Sequence, residues 1–225
     1  DFDFVNGDTS VYKSTMTYKN WGWAATNVTV WNAVITLTLA VPIAAFYESF
    51  NHEGVYDPAT DSWVWSYNFN AGGIYLAELH ASLVAGGVKW EMYISKNNTY
   101  NDFLWYSGIT NLNNTAATWE LNHKPEDPTP FVLIEWERDI QNENANIKYT
   151  NVIPNGSENG GYITYGIEND SILDAFYQIY NKGQDNITDI KWNRTTKNGQ
   201  VRDEKHFGDF EWKCWDENLM DIICP

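Results

Sequence analysis

The sequence predicts a mostly β protein with one N-terminal helix. About ten strands are expected to form an antiparallel up-and-down meander, closed into a barrel or folded into a barrel-like sandwich. Short runs rich in β-branched and aromatic residues follow one another from residue 61 to residue 202, and such runs are typical of strands. Breaks rich in Gly, Asn and Pro separate them, as in hairpins. Because no helical pattern lies between the runs, parallel βαβ units are excluded.

Length and charge limit the class of protein. The 225 residues fit one large β domain, and no low-complexity linker divides them, so we expect a single domain over residues 1–225. The formal net charge is −16, from 30 acidic and 14 basic side chains. A polyanion repels nucleic acid and anionic membrane surfaces. Nucleic acid is therefore excluded as a partner.

The N-terminal part is expected to be irregular over residues 1–26 and helical over residues 27–50. The segment DFDFVNGD at residues 1–8 departs from a calcium loop, because Val5 occupies the third ligand position. The helix is predicted from an apolar stripe with spacings of 4, 3, 4 and 3. Its members are Val30, Val34, Leu37, Val41 and Ala44.

Two alternatives to a plain helix stay open in this region. Residues 28–39 also alternate as a strand would, and Pro42 is expected to kink or divide a helix. The stretch 20–47 carries no charged residue and is long enough to cross a bilayer. Several polar residues interrupt it and no basic cluster flanks it, which favours a folded helix over a membrane span.

The meander is expected over residues 61–202. Closure into a barrel would remove the unpaired strand edges. A further short run, GQVRD, follows the ten main ones, and the segment 170–181 is an alternative short helix. No fixed-period repeat is present, which excludes a propeller or solenoid.

Alternating aromatic residues are the strongest functional signal. In DSWVWSYNF, at residues 61–69, every second residue is aromatic, so four rings share one face of a strand. They are interpreted as barrel core, as the wall of an apolar cavity, or as a sugar-stacking surface that Tyr93, Tyr106 and Tyr149 would extend. The candidate ligand-binding residues are Trp63, Trp65, Tyr67, Trp90, Trp105 and Trp119.

Catalytic chemistry has one candidate pair, Glu135 and Glu137 in LIEWER. Two residues apart on a strand, they share a face at about 7 Å, a separation that suits an inverting glycoside hydrolase. Paired carboxylates on a strand are more often its solvated face, so we predict no catalytic residues. The chain has no Cys/His cluster and no phosphate-binding Gly-rich loop. We therefore expect no metal and no cofactor.

The C-terminal segment 203–225 contains both cysteines of the chain, Cys214 and Cys224. An even number of cysteines close to one terminus predicts a disulfide that pins this segment. Disulfides persist in oxidising compartments. The pair therefore favours an extracytoplasmic location.

The chain also resembles a group of uncharacterised secreted lipoproteins of Bacteroidetes-type bacteria. The resemblance spans residue 27 to Cys224 and includes LAVPIAAFYESFNHEGVYDP, KWEMYIS and HFGDFEWKCWDENLMDIIC. The Cys-Trp-Asp-x-Asn-Leu-x-Asp ending is its most specific part. It implies a β-rich, secreted or outer-membrane protein whose lipid anchor lies upstream of residue 1. It implies no activity and no catalytic residues.

Together these observations predict a non-enzymatic extracytoplasmic protein that binds a small apolar or carbohydrate ligand in an aromatic-lined site. Membrane contact is expected only through the upstream anchor. The first alternative is a structural or interaction module with a filled core and no ligand. The second is a glycoside hydrolase that uses Glu135 and Glu137.

Overall fold

Within the residues that the structure describes, fourteen antiparallel strands form one sheet, and each pairs with its neighbours in sequence order. The computed structural model of the chain describes residues 17–70 and 73–225. Within these residues, the two helices are α1 Lys19–Ser49 and α2 Glu204–Phe207. The strands are β1 Val55–Asp57, β2 Ser62–Asn70, β3 Ile74–Val84, β4 Gly87–Lys96, β5 Tyr100–Asn111, β6 Ala116–Lys124, β7 Asp127–Asp139, β8 Asn144–Asn151, β9 Tyr162–Ile167, β10 Ala175–Asn181, β11 Asn186–Trp192, β12 Gly199–Asp203, β13 Lys213–Trp215 and β14 Asp221–Ile222.

The predictions of a mostly β chain, an antiparallel meander and one N-terminal helix are confirmed. The prediction of a closed barrel of about ten strands is wrong, because the sheet is open and has fourteen strands. The ten predicted runs and GQVRD correspond to β2–β12. The strands that were missed, β1, β13 and β14, have three, three and two residues, too few to show an alternating pattern. The two edge strands, β1 and β14, are so short that they expose few unpaired backbone groups with which another chain could pair.

Helix α1 is longer than predicted. It begins at Lys19 instead of residue 27, includes the segment 28–39 that was ambiguous, and continues through Pro42 to Ser49 without a division. Residues 1–16, which include the imperfect calcium loop and most of the segment expected to be irregular, lie outside the described residues. The alternative helix over 170–181 does not form, because Ala175–Asn181 is strand β10.

The sheet covers only one side of α1. The buried residues on that side are Ala24, Leu39, Pro42, Ala45 and Ser49. The apolar stripe of the sequence lies on the opposite side, where Val30 is 52% exposed and Leu37 is 80% exposed. Helix α1 is therefore apolar on both faces. By length and composition alone it is able to cross a membrane, a test that core helices and signal sequences also pass.

The core consists of two clusters along the inner face of the sheet. The C-terminal half of α1 packs on β2–β8 around buried Leu79 and Met92. The N-terminal half packs on β9–β13 around buried Val201 and Trp215. Ile35 contacts both clusters. The register shifts within two strand pairs, β4 with β5 and β6 with β7, and the inward residues of the sheet carry both clusters.

The C-terminal segment holds the beginning of α1. Cys214 and Cys224 lie at disulfide distance, with the sulfur atoms 2.11 Å apart. The side-chain amide of Asn20 donates a hydrogen bond to the backbone carbonyl of Cys214 at 2.9 Å. Buried Asp203 accepts hydrogen bonds from the Trp23 indole and the Thr188 hydroxyl, and its own position is the N-cap of α2. Polar contacts thus join the beginning of α1 to the C-terminal segment.

Candidate functional site

The six aromatic residues predicted from the sequence to bind a ligand lie on β2, β4, β5 and β6. Trp90 and Trp119 contact one helix residue, Phe46, and Trp65 lies next to Trp90. The Phe46 ring meets those of Trp90 and Trp119 edge-on at 5.7 Å, and Trp65 is 6.2 Å from Trp90. Aromatic pairs at these separations attract each other beyond their simple burial. These rings therefore pack against one another beside the C-terminal half of α1.

Two of the other three candidates belong to the same hydrophobic cluster. Trp105 stacks on Phe69 with ring centroids 6.4 Å apart. Buried Tyr67 donates its hydroxyl to the Ala45 carbonyl of α1. Trp63 is 51% exposed near the β1 edge and contacts Tyr56. The structure thus brings five candidates to one cluster, and Trp63 lies outside it.

Buried tyrosines extend this contact between helix and sheet. The Tyr106 hydroxyl donates to the Pro42 carbonyl at 3.4 Å. Burial raises the pKa of Tyr67 above its usual value, with a smaller contribution from the Glu48 carboxylate. Burial also raises the pKa of Tyr106, and Tyr67 adds to the effect. Both hydroxyls therefore stay neutral hydrogen-bond donors to the helix at physiological pH.

An apolar opening lies between the middle of α1 and strands β7–β10. This opening, cavity A, has a volume of about 400 Å³. Its helix wall includes Trp31, Val34 and Thr38, and its sheet wall includes Ile163 and Ile179. In the sheet wall, Ile163 of β9 lies directly opposite Ile179 of β10 in the antiparallel pair. None of the six residues selected from the sequence lines cavity A.

Two further cavities adjoin α1. Cavity B, of about 610 Å³, lies on the other flank of the helix, between Val28, Asn32 and Thr36 and strands β7–β11. Cavity C, of about 280 Å³, lies beside the C-terminal half of α1, and Trp119 and Phe46 belong to its wall. Trp119 is the one predicted site residue among the lining residues of these three cavities.

A row of three tyrosines runs across β8, β9 and β10 beneath the helix. Tyr165 stacks on Tyr177 at 5.3 Å and on Tyr149 at 6.1 Å. The Tyr177 hydroxyl donates to the Asn32 side chain of α1 at 3.2 Å. Tyr149 lines cavity A and Tyr177 lines cavity B, while Ile35 lines both. The tyrosine row and Ile35 therefore separate the two cavities.

Burial raises the pKa of Tyr149, and its hydrogen bond with Tyr165 raises it further. Burial and then Tyr165 likewise raise the pKa of Tyr177. Among the described residues, no lysine or arginine lines cavity A, and its one charged lining residue is Glu158. Asn151 and Asn181 contribute amide groups to the lining. Cavity A is thus an apolar site whose polar groups are neutral or negative.

Of the three tyrosines expected to extend a sugar-stacking surface, Tyr106 and Tyr149 lie beside α1. The catalytic candidates Glu135 and Glu137 lie on the opposite face of the sheet from α1 and are exposed. Glu135 pairs with Lys148 across the strands, and Glu137 accepts a hydrogen bond from Asn146 at 2.8 Å. Both line a further opening of about 310 Å³, which shares Trp136 and Asn146 with the lining of cavity B. In the described part of the chain, no three His, Cys, Asp or Glu side chains are grouped to hold a metal ion.

No protein-family model, curated protein or solved structure matches this chain. The resemblance to secreted lipoproteins therefore stays a prediction. The lining of cavity A was missed by sequence reasoning, although one signal was present. The alternation in IKYTN and YITYGI puts Tyr149 and Ile163 on the inner face, but the position of α1 above them has no local signature.

Proposed function

We propose that this protein is a non-enzymatic, extracytoplasmic binding protein that holds an apolar ligand in cavity A. The observation that carries the proposal is the apolar opening of about 400 Å³ between α1 and strands β7–β10. Ligand sites typically have volumes of 300–1,000 Å³ and walls that are mostly apolar, with few polar groups. Trp31, Ile163 and Ile179 provide such a wall.

The charge of the residues that line cavity A favours neutral lipids as ligands. A fatty acid carboxylate would meet no lysine or arginine in the lining and would approach Glu158. Like charges at short range disfavour binding. A monoacylglycerol places its acyl chain against Ile163 and Ile179 and its hydroxyls near Asn151 or Asn181. Neutral acyl glycerols and long-chain alcohols are therefore preferred to free fatty acids and to sugars.

The extracytoplasmic location is supported by the Cys214–Cys224 pair, whose sulfur atoms lie at disulfide distance. Such pairs persist in oxidising compartments and are rare in the cytosol. The anchor upstream of residue 1 and the relation to secreted lipoproteins belong to the same proposal.

Calorimetric titration with monolauroylglycerol, kept below its micelle concentration, tests the proposal. We expect saturable binding of one ligand per cavity A. Thr38→Glu introduces a carboxylate at the exposed lip of cavity A and is expected to weaken binding at least tenfold. Thr29→Glu is the matched control, because Thr29 is exposed on the same helix and does not line cavity A. Glutamate is a better helix former than threonine, so both variants are expected to fold.

Equal binding by both variants would place the ligand outside cavity A. Absence of binding to monolauroylglycerol and dodecanol would overturn the proposal and favour the structural module. Binding of a soluble oligosaccharide in their place would favour a carbohydrate site on the outer aromatic residues. Laurate serves as a charge control and is expected to bind more weakly than the neutral ester.

A further inference from the structure

Cavities A and C lie on opposite flanks of α1 and adjoin beneath it. Val34 lines cavity A, and Ile43 lines cavity C. These two residues are nine positions apart, which is roughly two and a half helical turns and places them on opposite sides of the helix. Leu39 and Tyr149 line both cavities. The two openings therefore adjoin where the helix packs on the sheet.

Strand β8 leads from cavity A to cavity C. Its alternate residues Asn151, Tyr149 and Ile147 share one face of the sheet. Asn151 lines cavity A, Tyr149 lines both cavities, and Ile147 lines cavity C. The three residues span about 13 Å along the strand. A ligand whose polar group binds near Asn151 therefore directs an apolar chain past Tyr149 toward cavity C.

Helix α1 shows the same order. Thr38 lies at the exposed lip of cavity A, whereas the next residue, Leu39, is only 4% exposed. Pro42 and Ile43 follow in the lining of cavity C. Leu39 belongs to the first core cluster, and Tyr149 packs against that cluster. Because these two residues close the inner end of cavity A, we name them the floor of cavity A.

The lining of cavity C suits the continuation of a hydrocarbon chain. Among the described residues, none that lines cavity C is charged or carries a side-chain amide. Cavity B, which also adjoins cavity A, includes Asn32, Asn146 and Arg194 in its lining. Covering such polar groups with hydrocarbon is costly. A chain that passes the floor of cavity A is therefore better matched by cavity C than by cavity B.

We propose that Leu39 and Tyr149 limit the length of the acyl chain that cavity A holds. This inference rests on the proposed function, since it takes cavity A to be the lipid site. Each methylene group that a ligand buries raises its affinity about fourfold, but a chain that has reached the floor buries no more. Truncating Leu39 joins the 400 Å³ of cavity A to the 280 Å³ of cavity C and admits a longer chain.

Calorimetric titration of the whole chain with a series of monoacylglycerols tests the limit. The series is the octanoyl, decanoyl, lauroyl and myristoyl esters, each below its micelle concentration. For the native protein we expect the affinity to rise from the octanoyl ester and to level off, so that the lauroyl and myristoyl esters bind equally. Leu39→Ala is expected to bind the myristoyl ester about tenfold more tightly than the lauroyl ester.

The matched control is Leu79→Ala, the same substitution in the same core cluster. Leu79 is fully buried and lines none of the three cavities. This variant is expected to level off at the same chain length as the native protein. Leu39→Val removes less core volume than Leu39→Ala and is expected to shift the limit in the same direction by a smaller factor. Far-UV circular dichroism verifies that each variant is folded.

An unbroken rise of affinity in the native protein would overturn the role of the floor. The native limit in a folded Leu39→Ala or Leu39→Val variant would overturn it too, as would an equal shift in Leu79→Ala. In each of these cases lipid still binds, so the proposed function stands. Absence of binding by every ester would instead overturn the proposed function, and the inference with it.

Discussion

The carboxylate of Asp221 accepts a hydrogen bond from the backbone N–H of Asn20 at 2.9 Å, across 201 residues of sequence. It also accepts from the N–H of Lys19 at 3.1 Å and from the Thr17 hydroxyl. Tyr18, at the N-cap position, makes no side-chain cap, and the first turn of α1 contains no acidic residue. Asp221 therefore supplies both the acceptor and the negative charge that a helix N-terminus requires.

Replacing Asp221 with alanine is expected to lower the free energy of unfolding by about 1–2 kcal/mol, the usual cost of removing a helix cap. In a chain of this size that corresponds to a fall in Tm of roughly 2–8 °C. Thermal unfolding followed by circular dichroism measures it. Glu217→Ala removes an exposed acid from the same segment and is expected to change Tm by less than about 1–2 °C. Equal Tm values for both variants would show that the cap contributes nothing.

Removing the disulfide by Cys214→Ser with Cys224→Ser is expected to lower stability by about 3 kcal/mol, because the unfolded chain regains the freedom of a short loop. The two cysteines lie 10 positions apart in the sequence. The far-UV spectrum is expected to stay native, because β13 and β14 contribute few residues. Denaturant unfolding measures the loss. The control is reductant, which destabilises the native chain and leaves the serine variant unchanged; a native chain insensitive to reductant contradicts the prediction.

Elements governed by local pattern were predictable from the sequence. Strands β2–β11 were found because alternation is visible within one strand, and Cys214–Cys224 because two cysteines leave one pairing. Whether the sheet is open or closed into a barrel was not predictable. Closure would require the two edge strands, β1 and β14, to pair, and their three and two residues show no pattern. Asp221 was missed for a similar reason, since a cap from a distant strand leaves no motif beside the helix.

The location of the cavities could not be predicted from the sequence, because the orientation of α1 on the sheet could not be predicted. Both faces of the helix are apolar, so the periodicity of Val30 and Leu37 did not reveal which face meets the sheet. With the other face inward, the ring of Phe46 packs against those of Trp90 and Trp119. Cavity A lies at the middle of α1 instead. Its sheet wall includes Ile163 and Ile179, which stand out less in a sequence than tryptophans do.

Alkaline pH is expected to unfold the protein through its buried tyrosines. Burial raises the pKa of Tyr67, Tyr106, Tyr149 and Tyr177 above the ordinary value of 10.0. Above about pH 10 the unfolded chain loses these protons while the folded chain retains them, so stability present below pH 10 falls as the pH rises. Tyrosinate absorbance and circular dichroism are measured together. Tyr106→Phe is expected to reduce the slope of stability against pH; complete tyrosine ionisation in a chain that keeps its native spectrum would contradict the prediction.

Ile35 is expected to couple the two halves of the core. Its side chain packs against both hydrophobic clusters and separates cavity A from cavity B. Ile35→Ala removes these contacts and joins the two cavities, at an expected cost of about 2–4 kcal/mol. Because the clusters then share fewer contacts, the unfolding transitions of their two sets of strands are expected to separate.

Urea unfolding measures both effects of Ile35→Ala, with tryptophan fluorescence and far-UV circular dichroism recorded on the same samples. The control is Ile187→Ala, the same substitution on β11 at a side chain that is 43% exposed. That variant is expected to lose less than about 1 kcal/mol and to keep coincident transitions. Coincident transitions in Ile35→Ala at native stability would mean that the two clusters are coupled through the sheet itself, with no contribution from the helix contact.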